Sequence, residues 1–183
     1  MIGKYPAKLD DKNRLFVPAK LREELGSEFY VTLGFNGGHK CLTAYTTADW
    51  QILGENFNRL PLAQRSGPTS LIFINAVECA PDKQFRFGLT QFLIDYAGIR
   101  REVMIVGRAG QAEIWDTEEF NRFETENLTP EKLALINELW EELKVESTIG
   151  DGIYIGCGVI LVALAALGIW QMLKKRRWAK LYD

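Results

Sequence analysis

The strongest constraint on the fold of this chain is an internal repeat, because residues 1–60 and residues 70–128 follow one pattern at an offset of 72. A duplicated pattern predicts two structural units of the same kind. At 183 residues, the chain has the length of one compact domain or two small ones. The matched pairs are Asp10/Asp82, Arg14/Arg86, Leu21/Leu93, Gly26/Gly98 and Val31/Val103.

Each copy predicts the same order of elements: a turn, a short strand, a short helix, two strands and a helix. In the first copy, Pro18 opens the short helix, since its fixed φ suits a first helical turn, and Gly26 ends it. Asn36-Gly37-Gly38 is a strong hairpin signal, and residues 46–49 resemble a capping box. The predicted strands are 14–17, 29–33, 41–45, 85–89, 102–106 and 113–115; the predicted helices are 18–25, 46–60, 91–97 and one capped by residues 116–119.

Two further segments flank the second copy. Residues 61–69 (PLAQRSGPT) are predicted to form a loop that links the copies. Residues 129–148 are predicted to form an amphipathic helix that begins at Thr129-Pro130 and leads toward an apolar segment. The apolar face of this helix consists of Leu133, Ile136, Trp140 and Leu143.

Residues 153–173 form an apolar run without a charged side chain. A helix of this length spans roughly 31 Å, which matches a hydrocarbon core of about 30 Å. We therefore predict a C-terminal transmembrane helix; a core helix buried by an oligomer is the alternative. The basic tail, residues 174–183, favours a cytoplasmic C-terminus, whereas the start of the chain lacks the apolar region of a signal peptide, so the orientation stays open.

Composition narrows the classes of function. The chain carries 22 basic and 24 acidic residues, so its overall charge gives no indication of nucleic-acid binding.

The single histidine, His39, follows a predicted turn and is expected to be exposed in a loop. Cys41, Cys79 and Cys157 are too widely spaced for a disulfide framework, and the first two are expected in the core. The sequence offers no nucleophile–base pair, metal-ligand set or phosphate loop, so we expect neither an enzyme nor a bound cofactor.

An Asp-x-x-x-Arg element with matching flanks occurs once in each copy. The first lies in Leu9-Asp10-x-Lys12-x-Arg14-Leu15-x-Val17-Pro18, preceded by Gly3-x-Tyr5 and followed by Arg22. The second is Asp82-Lys83-Gln84-x-Arg86, followed by Tyr96-Ala97-Gly98-Ile99 and Glu113-Ile114-Trp115-Asp116. Together they resemble the MraZ family of bacterial transcriptional regulators of the division and cell-wall gene cluster. The resemblance covers about residues 1–128.

The resemblance implies an α+β fold of the AbrB-like, swapped-hairpin kind: a duplicated β-barrel with short helices, whose subunits assemble into rings. It also implies a cytoplasmic, nucleoid-associated repressor that binds repeated boxes of double-stranded DNA in its own promoter. Carried over, the candidate DNA-contacting residues are Arg14 and Arg86. Asp10 and Asp82 would brace them by carboxylate–guanidinium pairing.

DNA binding by such a chain requires segregated charge, because residues 1–128 carry 15 basic and 17 acidic groups. One basic cluster lies within the first 20 residues and another in the second copy, and pseudo-symmetry would bring them to one face. We therefore add Lys8, Lys12 and Lys83 to the candidate DNA-binding residues. The structural alternative is that Arg14 and Arg86 only pair with their own aspartates in tight turns.

Two stretches depart from the family pattern, which usually has glycine before the motif arginine. Asn13 tolerates the left-handed conformation, whereas Phe85 tolerates it poorly, so we expect the second turn to change shape or carry strain. Gly88 and Thr90 stand where the second copy of the family usually has an Ile-Pro pair. These departures motivate an alternative function: a membrane-anchored oligomeric assembly module with the same fold and no DNA binding.

Overall fold

The computed structural model describes residues 1–142 and residue 144. The chain divides into a compact unit, Met1–Glu126, and a second unit that begins at Asn127. In the second unit residues 130–142 are helical. None of the helices within this described part is long and apolar enough to cross a membrane. The predicted transmembrane helix, residues 153–173, and the basic tail, residues 174–183, lie outside the described residues.

The compact unit is a mixed α+β fold built on antiparallel strands. One sheet has the order β1-β7-β8-β4-β3-β5, and β2 and β6 form a separate two-stranded ribbon. The strands are β1 (Ile2–Lys8), β2 (Arg14–Phe16), β3 (Phe29–Asn36), β4 (His39–Thr46), β5 (Val77–Cys79), β6 (Arg86–Gly88), β7 (Glu102–Arg108) and β8 (Gln111–Asp116). The helices are α1 (Ala19–Leu25), α2 (Thr47–Arg59), α3 (Leu62–Arg65), α4 (Pro68–Ile74), α5 (Gln91–Ala97) and α6 (Thr117–Asn127).

Strand pairing joins the two halves of this unit. Each half contributes one long hairpin, β3–β4 and β7–β8. The remaining strands pair across the halves: β1 with β7, β5 with β3, and β2 with β6. Since β4 also pairs with β8, the unit cannot be divided at residues 61–69 without breaking four strand pairings.

Local sequence signals place most of these elements. The β3–β4 hairpin turns at Gly37 and Gly38, whose φ angles of 58° and 88° suit glycine. The Thr46 side chain caps α2 by accepting a hydrogen bond from Asp49 N at 3.1 Å. Helix α5 ends at Gly98 in the left-handed conformation. These three predictions are confirmed.

The core lies between the sheet, the ribbon and the two short helices α1 and α5. Its largest fully buried side chains include Phe29, Leu15, Leu21 and Leu93, each worth roughly 1.5–3 kcal/mol of burial. A second cluster packs Trp115 and Phe120 against Cys41. Cys41 and Cys79 are buried, as predicted, and desolvation raises the pKa of each thiol to about 12.

The structure corrects the prediction of a loop over residues 61–69. Helix α3 and the start of α4 lie there, because Pro61 and Pro68 mark helix starts and not irregular chain. Helix α4 carries Phe73, whose ring centroid lies 5.1 Å from that of Trp50 and 4.5 Å from that of Phe57 on α2. The apolar residues of α4 thus give this segment a packing partner that a solvated loop would lack.

Strands β1 and β5 were not predicted from the sequence. Both are edge strands, and β1 contains Lys4, Pro6 and Lys8, residues that are typical of sheet edges. Such a strand has little apolar pattern of its own. Its conformation depends on pairing with β7 over seven residues.

Candidate functional site

The first Asp-x-x-x-Arg element is a closed turn organised by one carboxylate. Asp10 Oδ1 accepts hydrogen bonds from Lys12 N at 2.8 Å and Arg14 N at 2.9 Å. Asp10 Oδ2 accepts from Arg14 Nε and Nη2, both at 2.8 Å. The backbone closes the turn, with Asn13 N donating to the Asp10 carbonyl at 3.0 Å. One aspartate therefore shapes the loop and orients the guanidinium group.

The second element repeats this arrangement bond for bond. Asp82 Oδ1 accepts from Gln84 N at 2.8 Å and Arg86 N at 3.0 Å. Its Oδ2 accepts from Arg86 Nε at 3.0 Å and Nη2 at 2.7 Å. The Phe85 amide donates to the Asp82 carbonyl at 2.7 Å. The offset of 72 in the sequence thus corresponds to two turns of the same geometry.

The sequence predicted that the second turn either changes shape or carries strain at Phe85, and the structure shows the second outcome. Its φ is 58°, against 57° for Asn13 in the first turn. A left-handed residue other than glycine costs about 1–2 kcal/mol, and asparagine bears that cost more easily than phenylalanine. The turn therefore keeps its form and carries strain at Phe85.

The β2–β6 ribbon places both arginines on one outward face. Directly opposed pairs are Arg14 with Gly88, Leu15 with Phe87, and Phe16 with Arg86. Side chains alternate along a strand and opposed residues share a face. Leu15 and Phe87 are buried in the core, so the opposite face carries Arg14, Phe16 and Arg86.

Backbone hydrogen bonds beyond the ribbon lock the two turns together. Leu89 N donates to the Asn13 carbonyl, and Val17 N donates to the Phe85 carbonyl, each at 2.8 Å. Each turn is therefore held by the chain that follows the other turn. This reciprocal bonding fixes the relative position of the two arginines without a ligand.

Each arginine keeps hydrogen-bonding capacity beyond its aspartate. The side chains of Arg14 and Arg86 are 28% and 29% exposed. A guanidinium group has five N–H donors, and the aspartates engage Nε and Nη2. Within residues 1–142 and 144, nothing accepts from either Nη1 group. The brace is thus compatible with a further, external acceptor.

The arginine contacts hold both turn carboxylates in the ionised state. Hydrogen bonding from the Arg14 side chain lowers the pKa of Asp10 from 3.8 to about 2. The Arg86 side chain likewise lowers the pKa of Asp82 to about 2. Both braces therefore persist across the neutral and mildly acidic range.

The three candidate lysines differ in their surroundings. Lys12 and Lys83 are exposed in the two turns, and neither has an acidic partner among the residues that the structure describes. Lys8 lies in β1 and pairs with Glu102 at 2.9 Å. Lys12 and Lys83 therefore extend the positive charge beside the ribbon, whereas the charge of Lys8 is balanced locally.

A cluster of three residues beside Arg86 was not predicted as part of the site. The Arg22 guanidinium carbon lies 3.9 Å from the centroid of the Phe85 ring and 5.2 Å from that of Phe16. Arg22 Nε donates to the Val17 carbonyl at 3.0 Å. An open pocket of about 420 Å³ adjoins the cluster and is lined by Arg22, Glu23, Asp82 and Phe85, among others. We call Phe16, Arg22 and Phe85 the aromatic cluster.

His39 is buried and not exposed in a loop, which corrects the expectation from the sequence. It begins β4 and is 8% exposed. Its Nδ1 lies 2.7 Å from Glu119 Oε1, and its Nε2 lies 3.0 Å from Glu126 Oε2. Hydrogen bonding to Glu119 raises the pKa of His39 above its usual 6.5. The histidine is thus a link between β4 and α6.

The fold and the ribbon define a class of protein: an α+β unit with two aspartate-braced arginines on one outward face, a geometry that suits anionic groups. A family profile described as "MraZ protein, putative antitoxin-like" matches residues 1–69 and 72–134. The chain belongs to the MraZ family.

Relatives support the same assignment. A protein of Caldicellulosiruptor bescii named "Transcriptional regulator MraZ" is 39% identical over 137 residues, which cover 73% of this chain and 94% of the relative. Proteins of the same name from Clostridium beijerinckii and Limosilactobacillus reuteri are 37% and 34% identical. The matches cover 73% and 80% of this chain, and 93% and 99% of those relatives.

Proposed function

We propose that this protein is a DNA-binding transcriptional regulator in which Arg14 and Arg86 contact the DNA. The observation that carries the proposal is the β2–β6 ribbon, which holds both guanidinium groups on one outward face with donors unused. The major groove of DNA admits a two-stranded β-ribbon. Arginine is suited to phosphate oxygens and to the guanine edge.

Charge near the ribbon supports an anionic partner in spite of the net charge. Lys12 and Lys83 lie in the turns, and the carboxylates of Asp10 and Asp82 are already engaged by the arginines. The local excess of positive charge is small, so one subunit makes few phosphate contacts. Affinity should therefore be low for one subunit and should fall with salt.

Several parts of the proposal concern assembly and location. We propose that residues 1–60 and 70–128 are two AbrB-like repeats joined as swapped hairpins, since their strands pair across the halves. A ring of subunits would recover affinity by contacting repeated DNA boxes together. We also propose that the protein lies in the cytoplasm on the nucleoid and is anchored to the inner face of the cell membrane by residues 153–173 as a single transmembrane helix.

A DNA-retardation assay with the full chain and its own upstream region tests the proposal. Arg14→Ala and Arg86→Ala should each weaken binding by about 10- to 100-fold, the loss of one good arginine contact. Arg59→Ala is the matched control, because Arg59 is an exposed arginine on α2 paired with Glu55. Equal binding by all four proteins contradicts the assignment of the arginines.

The competing function is an oligomeric assembly module without DNA binding. It is favoured by the acidic balance of residues 1–128 and by the pairing of each arginine with its own aspartate. This function predicts no retardation by the parent protein at any salt concentration. It also predicts an unchanged oligomer in the double variant Arg14→Ala/Arg86→Ala, measured by light scattering.

A further inference from the structure

The outward face of the ribbon is not symmetric, although the two turns are. The offset of 72 relates Phe16 to Gly88, so one end of the ribbon has an aromatic ring where the other has no side chain. Phe16 lies opposite Arg86, and Gly88 lies opposite Arg14. Phe16 is 47% exposed. A large apolar side chain thus stands among the cationic groups of the proposed DNA-binding face.

The aromatic cluster holds this ring in place. The guanidinium group of Arg22 lies over the Phe16 ring and over the Phe85 ring, within cation–π distance of both. The hydrogen bond from Arg22 Nε to the Val17 carbonyl fixes the arginine in turn. Cation–π contacts of this kind stabilise the arrangement in the free protein. Because the Phe16 ring is already held in the free protein, little further conformational entropy is lost when a ligand covers its exposed edge.

The edges of the bases in the major groove include one apolar group that such a ring can contact. Thymine alone among the four bases carries a 5-methyl group there, and phenylalanine is a side chain that contacts it. A wedge inserted between base pairs would need a freely projecting ring, whereas more than half of Phe16 is covered. We infer that Phe16 reads a thymine methyl group beside the base pair that Arg86 contacts.

This inference rests on the proposed function and adds that the ribbon binds each DNA box in one orientation. The end of the ribbon with Arg86 and Phe16 recognises a hydrogen-bonding edge and a methyl group. The end with Arg14 and Gly88 recognises only the hydrogen-bonding edge. Each DNA box should therefore be read with a defined polarity, despite the two similar turns.

Replacement of thymine by deoxyuridine removes the methyl group and leaves base pairing intact. The full chain is titrated with duplexes of its own upstream region, each with one thymine replaced. We expect one position in each box at which the Kd rises about fourfold, the effect of losing one buried carbon group. Replacement outside the boxes should leave the Kd unchanged.

Protein variants connect that position to Phe16. In Phe16→Ala the Kd should no longer depend on the methyl group, whereas Phe35→Ala, an exposed phenylalanine on β3, should behave as the parent. Gly88→Phe places a ring at the equivalent position, where a Cβ meets no atom within 4 Å. This variant should create a second methyl-sensitive position beside the Arg14 contact.

The outcomes separate the inference from the function on which it rests. Binding by the parent that is insensitive to every single replacement overturns the role of Phe16 and leaves the regulator intact. A methyl-sensitive position that persists in Phe16→Ala also overturns it. Absence of any DNA binding by the parent overturns both.

Discussion

Asn13 and Phe85 hold the same left-handed backbone conformation, with φ angles of 57° and 58°, although their side chains have nothing in common. Each precedes the arginine of an Asp-x-x-x-Arg turn, and each offers its carbonyl to the chain after the other turn. The conformation is therefore imposed by the hydrogen bonds of the turn and the ribbon, and the residue at that position adapts to it. Asn13 does so with little cost, whereas Phe85 is strained and gains a contact with Arg22.

Replacing Asn13 by a residue that disfavours the left-handed conformation should destabilise the first turn. Asn13→Ala is expected to reduce the free energy of unfolding by roughly 1–2 kcal/mol, because alanine is disfavoured at positive φ and the contact with Gln91 is lost. Urea unfolding measures the change. Asn56→Ala on the exposed side of α2 is the control and should change the value by less than about 0.5 kcal/mol. Equal effects of the two substitutions would show that the left-handed conformation at residue 13 places no special demand on the side chain.

The carboxylate of each turn should titrate far below the usual range and should respond only to its own arginine. NMR titration of the folded protein is expected to give Asp10 and Asp82 midpoints at about pH 2. Arg14→Gln should raise the midpoint of Asp10 toward 3.8 and leave that of Asp82 in place. A shift of both midpoints would mean that the turns are electrostatically coupled. Because the folded-state pKa values are lowered, the stability that these groups contribute is present above about pH 3.8 and is lost as the pH falls through about 2.

The contact of His39 with two carboxylates should make the free energy of unfolding depend on pH above about 6.5. The folded state raises the pKa of His39, so the charged imidazole stabilises the fold. That contribution is complete below about pH 6.5, the value for an unfolded chain, and is lost as the pH rises through the raised folded-state pKa. The free energy of unfolding should therefore decline over this window.

His39→Gln tests this assignment, because glutamine keeps hydrogen bonding and does not titrate. The variant should lack the part of the decline that starts near pH 6.5. Since the chain contains a single histidine, an unchanged pH profile in His39→Gln would assign the decline to another group.

Close approach of two backbones should make Gly107 intolerant of a side chain. A Cβ at this position would lie 2.6 Å from the Ile2 nitrogen and 2.8 Å from the Met1 carbonyl carbon. Gly107→Ala is therefore expected to displace β1 from β7 and to destabilise the fold by roughly 1–3 kcal/mol in thermal or urea unfolding. Gly88→Ala is the matched control, since a Cβ there meets open space. Comparable losses in both variants would contradict a steric origin.

The parts of the fold that depend on short-range signals could be predicted. The turn at Gly37 and Gly38, the Thr46 cap and the stop at Gly98 each involve residues within four positions of one another. The candidate arginines also follow from a local element, because the Asp10–Arg14 contact spans four residues. Strand β1 and helices α3 and α4 were missed, since their conformations depend on partners elsewhere in the chain.

The candidate site could be predicted only in part for the same reason. Phe16 meets Arg86 across 70 positions of sequence, and the contact of Arg22 with Phe85 spans 63. No periodicity or motif near Phe16 indicates that it will lie outward beside an arginine from the other half. Similarly, a histidine after two glycines is typical of an exposed turn, and it is the docking of α6 that buries His39.

By itself, the sequence determined the β3–β4 turn, the helix caps and the two Asp-x-x-x-Arg turns, because hydrogen bonds between near neighbours specify each of them. Only the tertiary structure decided which strands pair across the two halves, that both arginines share one face, and that an aromatic ring accompanies only one of them. These features arise from pairing between residues that are at least 46 positions apart in the sequence. Such pairing stabilises the protein only when both partner strands are in place, so no single segment of the sequence predicts it.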